Sequence, residues 1–399
     1  MHEKAHGELE LQPGVVVAVI KPLTRLIIPV ICLLHVAQAA VLPEDRADVL
    51  YHSYDGGGIT IDGPSVLVRK GFDDKVSVSA NYYVDNISSA SIDAITQASP
   101  YTENRTQTSI SADYLNDKST VSYSYTQSTE NDFDALTQSF SITQEMLGGL
   151  TTVSLGYTVG DNTITKTGDA SFEDNSKFKN FRVSIGQILT KKLILSIAYD
   201  NISDEGFLNN PYRQVRLVDP ADSLSYIFEP ENYPRTRTSN AASFNLRYYL
   251  PYRASIHGGY RYFTDSWDIK ADTFDIGYTH PLNDEWTIEA SLRLYSQNQA
   301  SFYNDLFDSP TVSTQTFQAR DKELSTYSDV TLGLGVIYSF SSSSLGGLFE
   351  RSTANLFIDY IQFDYDNFRD IRVTGVQPGT EPLYSFSATV LRVYFSFWF

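Results

Sequence analysis

The chain has 399 residues and a net charge of −18; 42% of it is hydrophobic, with 27 Tyr and 23 Phe against a single Cys. So acidic a chain lacks the basic footprint that nucleic-acid binding requires, and beyond the N-terminus no apolar run approaches the roughly 18 residues of a helical membrane span. The length would ordinarily suggest two or three soluble domains, but one closed membrane barrel can hold all of it, because a spanning strand takes only about 9–11 residues.

Residues 1–39 read as an export signal. Lys21 and Arg25 form the positive region, Leu26 to Val36 the short apolar run, and Ala37-Gln-Ala39 a small-x-small cleavage site. Residues 1–20 carry Glu3, Glu8 and Glu10, which is unusual ahead of a signal and points to a true start downstream of Met1. A retained anchor is the alternative, but the apolar run is short for a span. Cys32 lies inside the signal, and Ile31 stands before it where a lipoprotein box needs a small residue. The processed chain therefore has no disulfide, thiolate metal site or cysteine nucleophile. Cleavage removes three basic and three acidic residues, so the net charge stays at −18. Residues 40–47 would be a short periplasmic segment and 48–399 the barrel.

From Asp48 onward, apolar and polar residues alternate with the period of an extended strand. Asp48–Tyr54 and Ile59–Arg69 are the weakest candidates, with Gly56-Gly57-Gly58 as their turn. Val76, Val78, Ala80, Tyr82 and Val84 face away from Ser77, Ser79, Asn81 and Tyr83. Val153, Leu155, Tyr157 and Val159 alternate with Ser154, Gly156 and Thr158; Ala242, Phe244, Leu246 and Tyr248 alternate with Ser243, Asn245 and Arg247. Leu332, Leu334, Val336, Tyr338 and Phe340 repeat the pattern against Thr331, Gly333, Gly335 and Ser339. The chain closes on Leu391, Val393, Phe395, Phe397 and Phe399 on one side and Arg392, Tyr394 and Ser396 on the other. Chain ends usually fray in water, whereas a closing barrel strand with a terminal aromatic matches the signal read by the barrel-assembly machinery; Phe395, Phe397 and Phe399 carry it.

Short turns and long loops take turns along the chain. Short connections fall at Phe72-Asp-Asp74, Asn116-Asp-Lys118, Leu147-Gly-Gly149, Thr190-Lys-Lys192, Pro251-Tyr-Arg253 and Pro281-Leu-Asn-Asp284. Longer ones are expected near 87–104, 160–177, 202–236, 297–325 and 365–382, and two short ones near 129–133 and 265–266. Tight periplasmic turns and long outer loops are the habit of outer-membrane barrels. The spacing predicts an all-β, antiparallel, up-and-down transmembrane barrel of about sixteen strands, or fourteen if the first two do not span. A secreted β-sandwich or propeller is the competing fold, but it would not need the hydrophobic closing strand. Trp267, Trp286 and Trp398 fall at predicted strand ends, where amphipathic rings suit a membrane interface.

Leu42 to Tyr54, Gly63 to Lys70, Lys75 to Asp85, Gly206-Phe-Leu-Asn-Asn-Pro-Tyr-Arg213, Thr236 to Leu250 and the closing strand together resemble the bacterial domain-of-unknown-function family 3570 over nearly all of the processed chain. The resemblance implies an outer-membrane protein of Gram-negative bacteria, with no catalytic residues to carry over. It also implies a loose association with periplasmic redox and flavin-transfer proteins and a small lipoprotein, so a periplasmic partner is an expectation.

Arg182, Arg247, Arg261, Arg293 and Arg392 share the polar faces with Asp85, Asp113, Asp200, Asp275, Glu289 and Asp359. They are expected to point inward, because Arg or Lys facing lipid near the midplane costs about 2–4 kcal/mol. They make either a pore wall with a transverse field or an interior salt-bridge network. The longest loop carries Phe207, Tyr212, Arg213, Arg216 and Arg235. It is read as a constriction or anion contact, or as a plain capping loop. Glu103, Glu130, Asp132, Asp134, Asp169, Glu173 and Asp174 read as solvated outer charge rather than a divalent-ion bridge to lipid phosphates. His257, with Ser255 two residues away, lacks the third orienting group of a hydrolytic site. No cofactor, metal or catalytic site is read, and an enzyme is not expected. Too little chain precedes the first strand for the plug of an energy-coupled receptor. The expected partners are outer-membrane lipid, lipopolysaccharide and the assembly machinery. The expected function is a porin-like passive channel for small solutes; the alternative is a non-conducting structural or docking barrel.

Overall fold

The structure is a computed structural model that describes residues 41–89, 92, 101–222, 224–310, 315–341 and 349–399. The export signal, Cys32 and part of the predicted 87–104 loop lie outside those residues. The strands are β1 (Arg46–Gly56), β2 (Ile59–Phe72), β3 (Val76–Ser89), β4 (Tyr101–Asn116), β5 (Ser119–Thr129), β6 (Phe133–Met146), β7 (Thr151–Thr165), β8 (Glu173–Thr190) and β9 (Leu193–Gly206). They continue as β10 (Gln214–Val218), β11 (Tyr226–Pro230), β12 (Thr236–Tyr249), β13 (Ser255–Asp265), β14 (Lys270–Pro281), β15 (Trp286–Gln297), β16 (Tyr327–Ser341), β17 (Arg351–Arg369) and β18 (Leu383–Trp398). Sixteen of them close into one antiparallel barrel, each paired with its neighbours in sequence; β10 and β11 form a separate hairpin between β9 and β12. Both weak N-terminal candidates are strands, so the count is sixteen rather than fourteen.

The barrel closes where β1 pairs with β18, from Arg46 opposite Trp398 to Gly56 opposite Ala388. Gly57 and Gly58 turn the chain into β2 with φ of 62° and 82°, the left-handed region that a two-residue hairpin of type I′ demands. Asp73 and Asp74 do the same at the other end, at 52° and 50°. The tight turns at 72–74, 116–118, 147–149, 190–192, 251–253 and 281–284 gather at one end of the barrel, the short-turn end, while Gly56–Gly58 and the short connections near 129–133 and 265–266 lie at the other. The loops near 206–236, 298–326 and 370–382 gather at the other, the long-loop end.

The side chains alternate as a period of two requires. Val78 and Tyr82, Leu155 and Tyr157, Leu332 and Leu334, and Ile358 and Tyr360 stand exposed on the outer wall, while Ser77, Ser79 and Tyr83 turn inward and are buried. Toward the long-loop end the outward positions change from apolar to polar: Asn86 and Ser88, Asp161 and Thr163, Lys177 and Lys179, Asp364 and Asp366. The strands continue into this polar collar. The predicted loop at 160–177 therefore shrinks to 166–172, and β17 runs to Arg369 rather than stopping near 365. Outward polar residues conceal the alternation there, which is why sequence reading ended the strands early.

The three tryptophans do not share one setting. Trp286 stands on the outer wall with its ring 4.6 Å from Tyr338. Trp398 ends β18 under the Arg351 guanidinium at 4.1 Å. Trp267 is only 2% exposed, packed against Phe302 and Tyr233, so the interface assignment fails for it. Phe395 and Phe397 lie on the outward face of β18, and Phe399 follows with its ring 5.2 Å from Lys70 Nζ.

Candidate functional site: the lumen and its cap

The inward wall has two zones. Over the short-turn half of β4 to β8 it is made of small residues: Ser109 and Ser111, Ser122 and Ser124, Ser139 and Ser141, Ser154 and Gly156, Ser184. Hydroxyls bond across neighbouring strands, Ser109 with Thr126 at 2.9 Å, Ser139 with Thr158 at 3.0 Å and Thr143 with Ser154 at 2.9 Å. Facing them, glycines let neighbouring side chains lie flat along the wall. A Cβ on Gly277 would overlap the His257 ring, one on Gly333 would meet Ser291 and Asp359, and one on Gly335 would overlap Phe357. Small and flattened side chains thus make up much of the wall over this half.

Inward charges form a belt above that zone. Arg105 Nη2 lies 3.0 Å from Asp85, Arg182 donates to both oxygens of Asp200 at 2.9 Å, Arg293 donates to Asp329 at 2.7 Å, and Arg392 to Asp359 at 2.6 Å. Each pair joins adjacent strands, so the attraction runs along the wall rather than across the lumen. His52 extends the belt: its Nε2 lies 2.7 Å from Asp85 Oδ1 and 2.9 Å from Tyr83 Oη, with the two rings stacked at 4.6 Å. Lower down, Asp113 accepts from Ser122 at 2.6 Å. Arg247, Arg261, Asp275 and Glu289 also point inward but make no ion pair among the described residues; Glu289 accepts from Thr279 at 3.4 Å.

The long-loop half is filled. Tyr54, Ile59, Ile61, Phe263, Tyr327, Ile361, Phe363, Phe368 and Val390 from the wall share one apolar core with Leu208, Tyr233, Trp267, Phe302 and Tyr303 from the connections. The connections also bond to one another: Val218 N to Phe307 O at 3.0 Å, Phe307 N to Arg216 O at 2.9 Å, and Asn232 with Gln318 in both directions at 3.0 and 2.8 Å. Together they make a cap seated inside the barrel mouth.

Arginines of the longest loop hold this cap internally. Arg216 is fully buried, donating to Asp305 O at 2.8 Å and Glu381 at 2.5 Å and also engaging the Asp305 carboxylate. Arg320 reaches Asp305 and the carbonyl of Arg369, both at 3.0 Å. Arg213 pairs with Asp321, and Arg235 pairs with Asp174 at 2.7 Å on the rim. Phe207 packs edge-on against Phe172 at 5.3 Å. Tyr212 Oη donates to Asp132 at 2.5 Å, where hydrogen bonding to Asp132 adds to burial in raising the phenol's pKa. These five residues thus serve the capping reading of the loop. The arginines among them are matched by carboxylates of this chain.

The acidic residues of the shorter connections divide. Asp134, Asp169 and Glu173 are exposed, but Glu103, Glu130 and Asp132 are buried, against the expectation of solvated charge. Burial pushes the Glu130 carboxyl up to about 8; Arg105, 3.9 Å away, works in the opposite direction, while Glu103, Asp85 and Asp132 add to the rise. Burial likewise raises Glu231, which accepts from Tyr233 Oη at 2.8 Å and Arg320 N at 2.6 Å. For Glu381 burial opposes ionisation, but the hydrogen bonds from Arg216 and from backbone N–H groups prevail and hold it below the usual range.

Sequence reading did not single out Arg105, Asp305, Arg320, Asp329 or Glu381. Arg105 and Asp329 lie at inward positions of alternating strands and could have been included on that ground. Arg237 also ends an alternating segment, and its guanidinium stacks 4.6 Å over Trp267 while bonding Asp265 at 2.7 Å. The others sit in aperiodic connections, where no local signal assigns partners.

The profile of the family described as "Protein of unknown function (DUF3570)" matches residues 94–355. No curated protein sequence matches the chain. Solved structures that resemble it include a bacterial polysaccharide outer membrane secretin (TM-score 0.46, 8% identity, 90% of this chain and 100% of that one). Another is OmpT, an outer membrane protein of Vibrio cholerae (0.41, 10%, 90% and 99%). A third is a FadL homologue of Pseudomonas aeruginosa (0.41, 10%, 90% and 91%). At this distance the likeness carries no information on role.

Proposed function

We propose, for a chain that belongs to the DUF3570 family of proteins of unknown function, a conduit for small polar solutes in the bacterial outer membrane, shut at its outer mouth in the conformation described. The apolar outer band would meet lipid, the polar collar lipopolysaccharide, and the short turns the periplasm, the usual polarity of such barrels. Phe395, Phe397 and Phe399 would be read by the barrel-assembly machinery.

The observation that carries the reading is the wall of the periplasmic half. Serines, threonines and glycines line one side, and on the other His257, Asp359 and Phe357 lie flat over Gly277, Gly333 and Gly335. Such a wall leaves room for water and solute, and a barrel that serves only as a scaffold has no need of it. The cap makes passage conditional, so this is a gated conduit rather than a standing pore. A second reading, a non-conducting barrel that docks a periplasmic partner, draws on the depth of the cap's apolar core.

Planar-bilayer recording of the purified, processed chain separates the two. The conduit reading expects rare discrete conductance steps from the native protein and frequent ones once the cap is loosened at Arg216. A membrane that stays silent with both proteins would leave the docking barrel.

A further inference from the structure

Three guanidiniums converge where the cap meets the lumen. Arg182 on β8, Arg261 on β13 and Arg293 on β15 point inward, and Arg182 and Arg293 are both electrostatic neighbours of Arg261. Arg182 is matched by Asp200 and Arg293 by Asp329. Arg261 has no such match. Among the described residues it makes no ion pair, its Nη2 is buried without a hydrogen bond, and its guanidinium rests 5.7 Å from the Phe263 ring. The guanidinium is only half-buried and feels the Asp200 carboxylate at a distance, but its buried Nη2 donor is left without a bond, which is unfavourable. The neighbouring strands place Ser243 and Thr273 directly beside it on the same inward face. The side chain of Arg182, half exposed to the lumen at 50%, has donors to spare beyond the one nitrogen that engages Asp200.

We propose that Arg261, supported by Arg182 and the hydroxyls of Ser243 and Thr273, forms a lumenal binding site for a small oxyanion, a carboxylate or phosphate group. A planar guanidinium presents paired donors to either group, and hydroxyls can donate to the remaining oxygens. The surroundings limit the charge of the guest. Asp200 and Asp329 already occupy two of the three arginines, and Asp275 lies on the same face beside Gly259, one inward position from Arg261. The surplus is therefore small, which suits a group of low charge. The half-exposed Arg182 side chain leaves the site open to solvent on that side. The inference rests on the conduit reading for its use, since it names the solute class that the lumen would hold.

Titration calorimetry on the processed chain in detergent, with inorganic phosphate and separately with succinate, tests it. The expected result is saturable binding of at least one probe, weakened about tenfold or more in Arg261→Gln and in Arg182→Gln, as loss of a charged hydrogen bond implies. Arg253→Gln, at an exposed turn, should bind as the native protein does. Because half of the Arg182 side chain already lies in water, Arg182→Gln keeps the test valid if Arg261→Gln fails to fold. Absence of saturable binding with both probes overturns the site, as does binding that both variants leave unchanged. Binding heats do not depend on passage: intact binding with a silent bilayer would sink the conduit alone, and conduction without binding would sink the site alone.

Discussion

Arg216 and Glu381, 165 residues apart in the chain, meet through two hydrogen bonds of 2.5 and 3.1 Å with both side chains buried. One lies in the β10–β11 hairpin and the other in the connection before β18, so the contact ties two separate loops into one cap. The Asp305 carboxylate on the same guanidinium adds the third loop.

Replacing Arg216 with Gln should therefore open the mouth. The change leaves Asp305 and Glu381 buried with less compensation, and breaking one partner of a buried ion pair costs about 3–5 kcal/mol. The barrel wall makes its own ladder bonds and should persist. Limited proteolysis should cut the 298–326 connection of the variant much faster than that of the native protein, with the circular-dichroism signature of the strands unchanged. Equal rates would mean that the cap does not depend on this contact.

The long-loop end should also be most secure in mildly acid solution, close to the ordinary carboxylate pKa, rather than at neutral pH. Glu130 has its folded pKa raised to about 8, so the contribution of its neutral form is fully present below the ordinary carboxylate pKa and is lost as pH rises through about 8. Glu381 is shifted the other way: its contribution is present above the ordinary value and lost as pH falls below it. Hydrogen exchange of the amides in 130–132 should quicken as pH rises from the ordinary carboxylate pKa to about 8 and level off above it, after correction for the intrinsic rate, and Glu130→Gln should flatten that rise. A rise that persists in Glu130→Gln would assign it to another group.

Much of the barrel was legible because each strand announces itself. Val76–Val84 and Leu332–Phe340 alternate over their whole length, and the same parity that places Leu334 outside places Asp359 and Arg392 inside. The cap was not legible for the converse reason. Arg216 has no periodic context, and its partners lie 89 and 165 residues away, so nothing local distinguishes it from Arg235, which ended up on the rim. Trp267 shows the limit of residue-type rules. A strand-end tryptophan suits an interface, but here the turn folds inward and Arg237 covers the ring. Glu103 and Glu130 read as solvated from sequence because acidic loop residues usually are, and burial by distant loops cannot be seen from neighbours in sequence.

The glycines of the inner wall should differ in tolerance according to what a Cβ would strike. In Gly277→Ala the methyl meets the His257 side chain, which can swing into the lumen. In Gly63→Ala it meets the backbone carbonyl of Val84, which cannot move without breaking the β2–β3 ladder. Overpacking that a side chain absorbs costs at most about 1–3 kcal/mol. Gly277→Ala should fold and pass less current in the cap-loosened background, because the displaced ring narrows the path; Gly63→Ala should fold poorly. Unaltered conductance in Gly277→Ala would mean that the His257 ring does not border the path.

Along β16 a single strand can test whether hydrocarbon wets the outer wall. Leu334 is outward and 63% exposed near the middle of the strand, and Ser328 is outward near the long-loop end. In a bilayer, Leu334→Arg should lower the unfolding free energy by about 2–4 kcal/mol, while Ser328→Arg should lower it by about 0–1 kcal/mol, because the penalty for a charge falls toward the interface. Were the outer wall bathed in water, Leu334→Arg would trade an exposed leucine for a solvated cation, and surface changes of that kind usually stay within about 0.5 kcal/mol. Denaturant titration of both variants folded into lipid vesicles gives the comparison. A strong depth dependence places the mid-strand band in hydrocarbon. Two equal, small effects would remove the membrane from the account, and with it the distinction between a mouth outside and a lumen open to the periplasm.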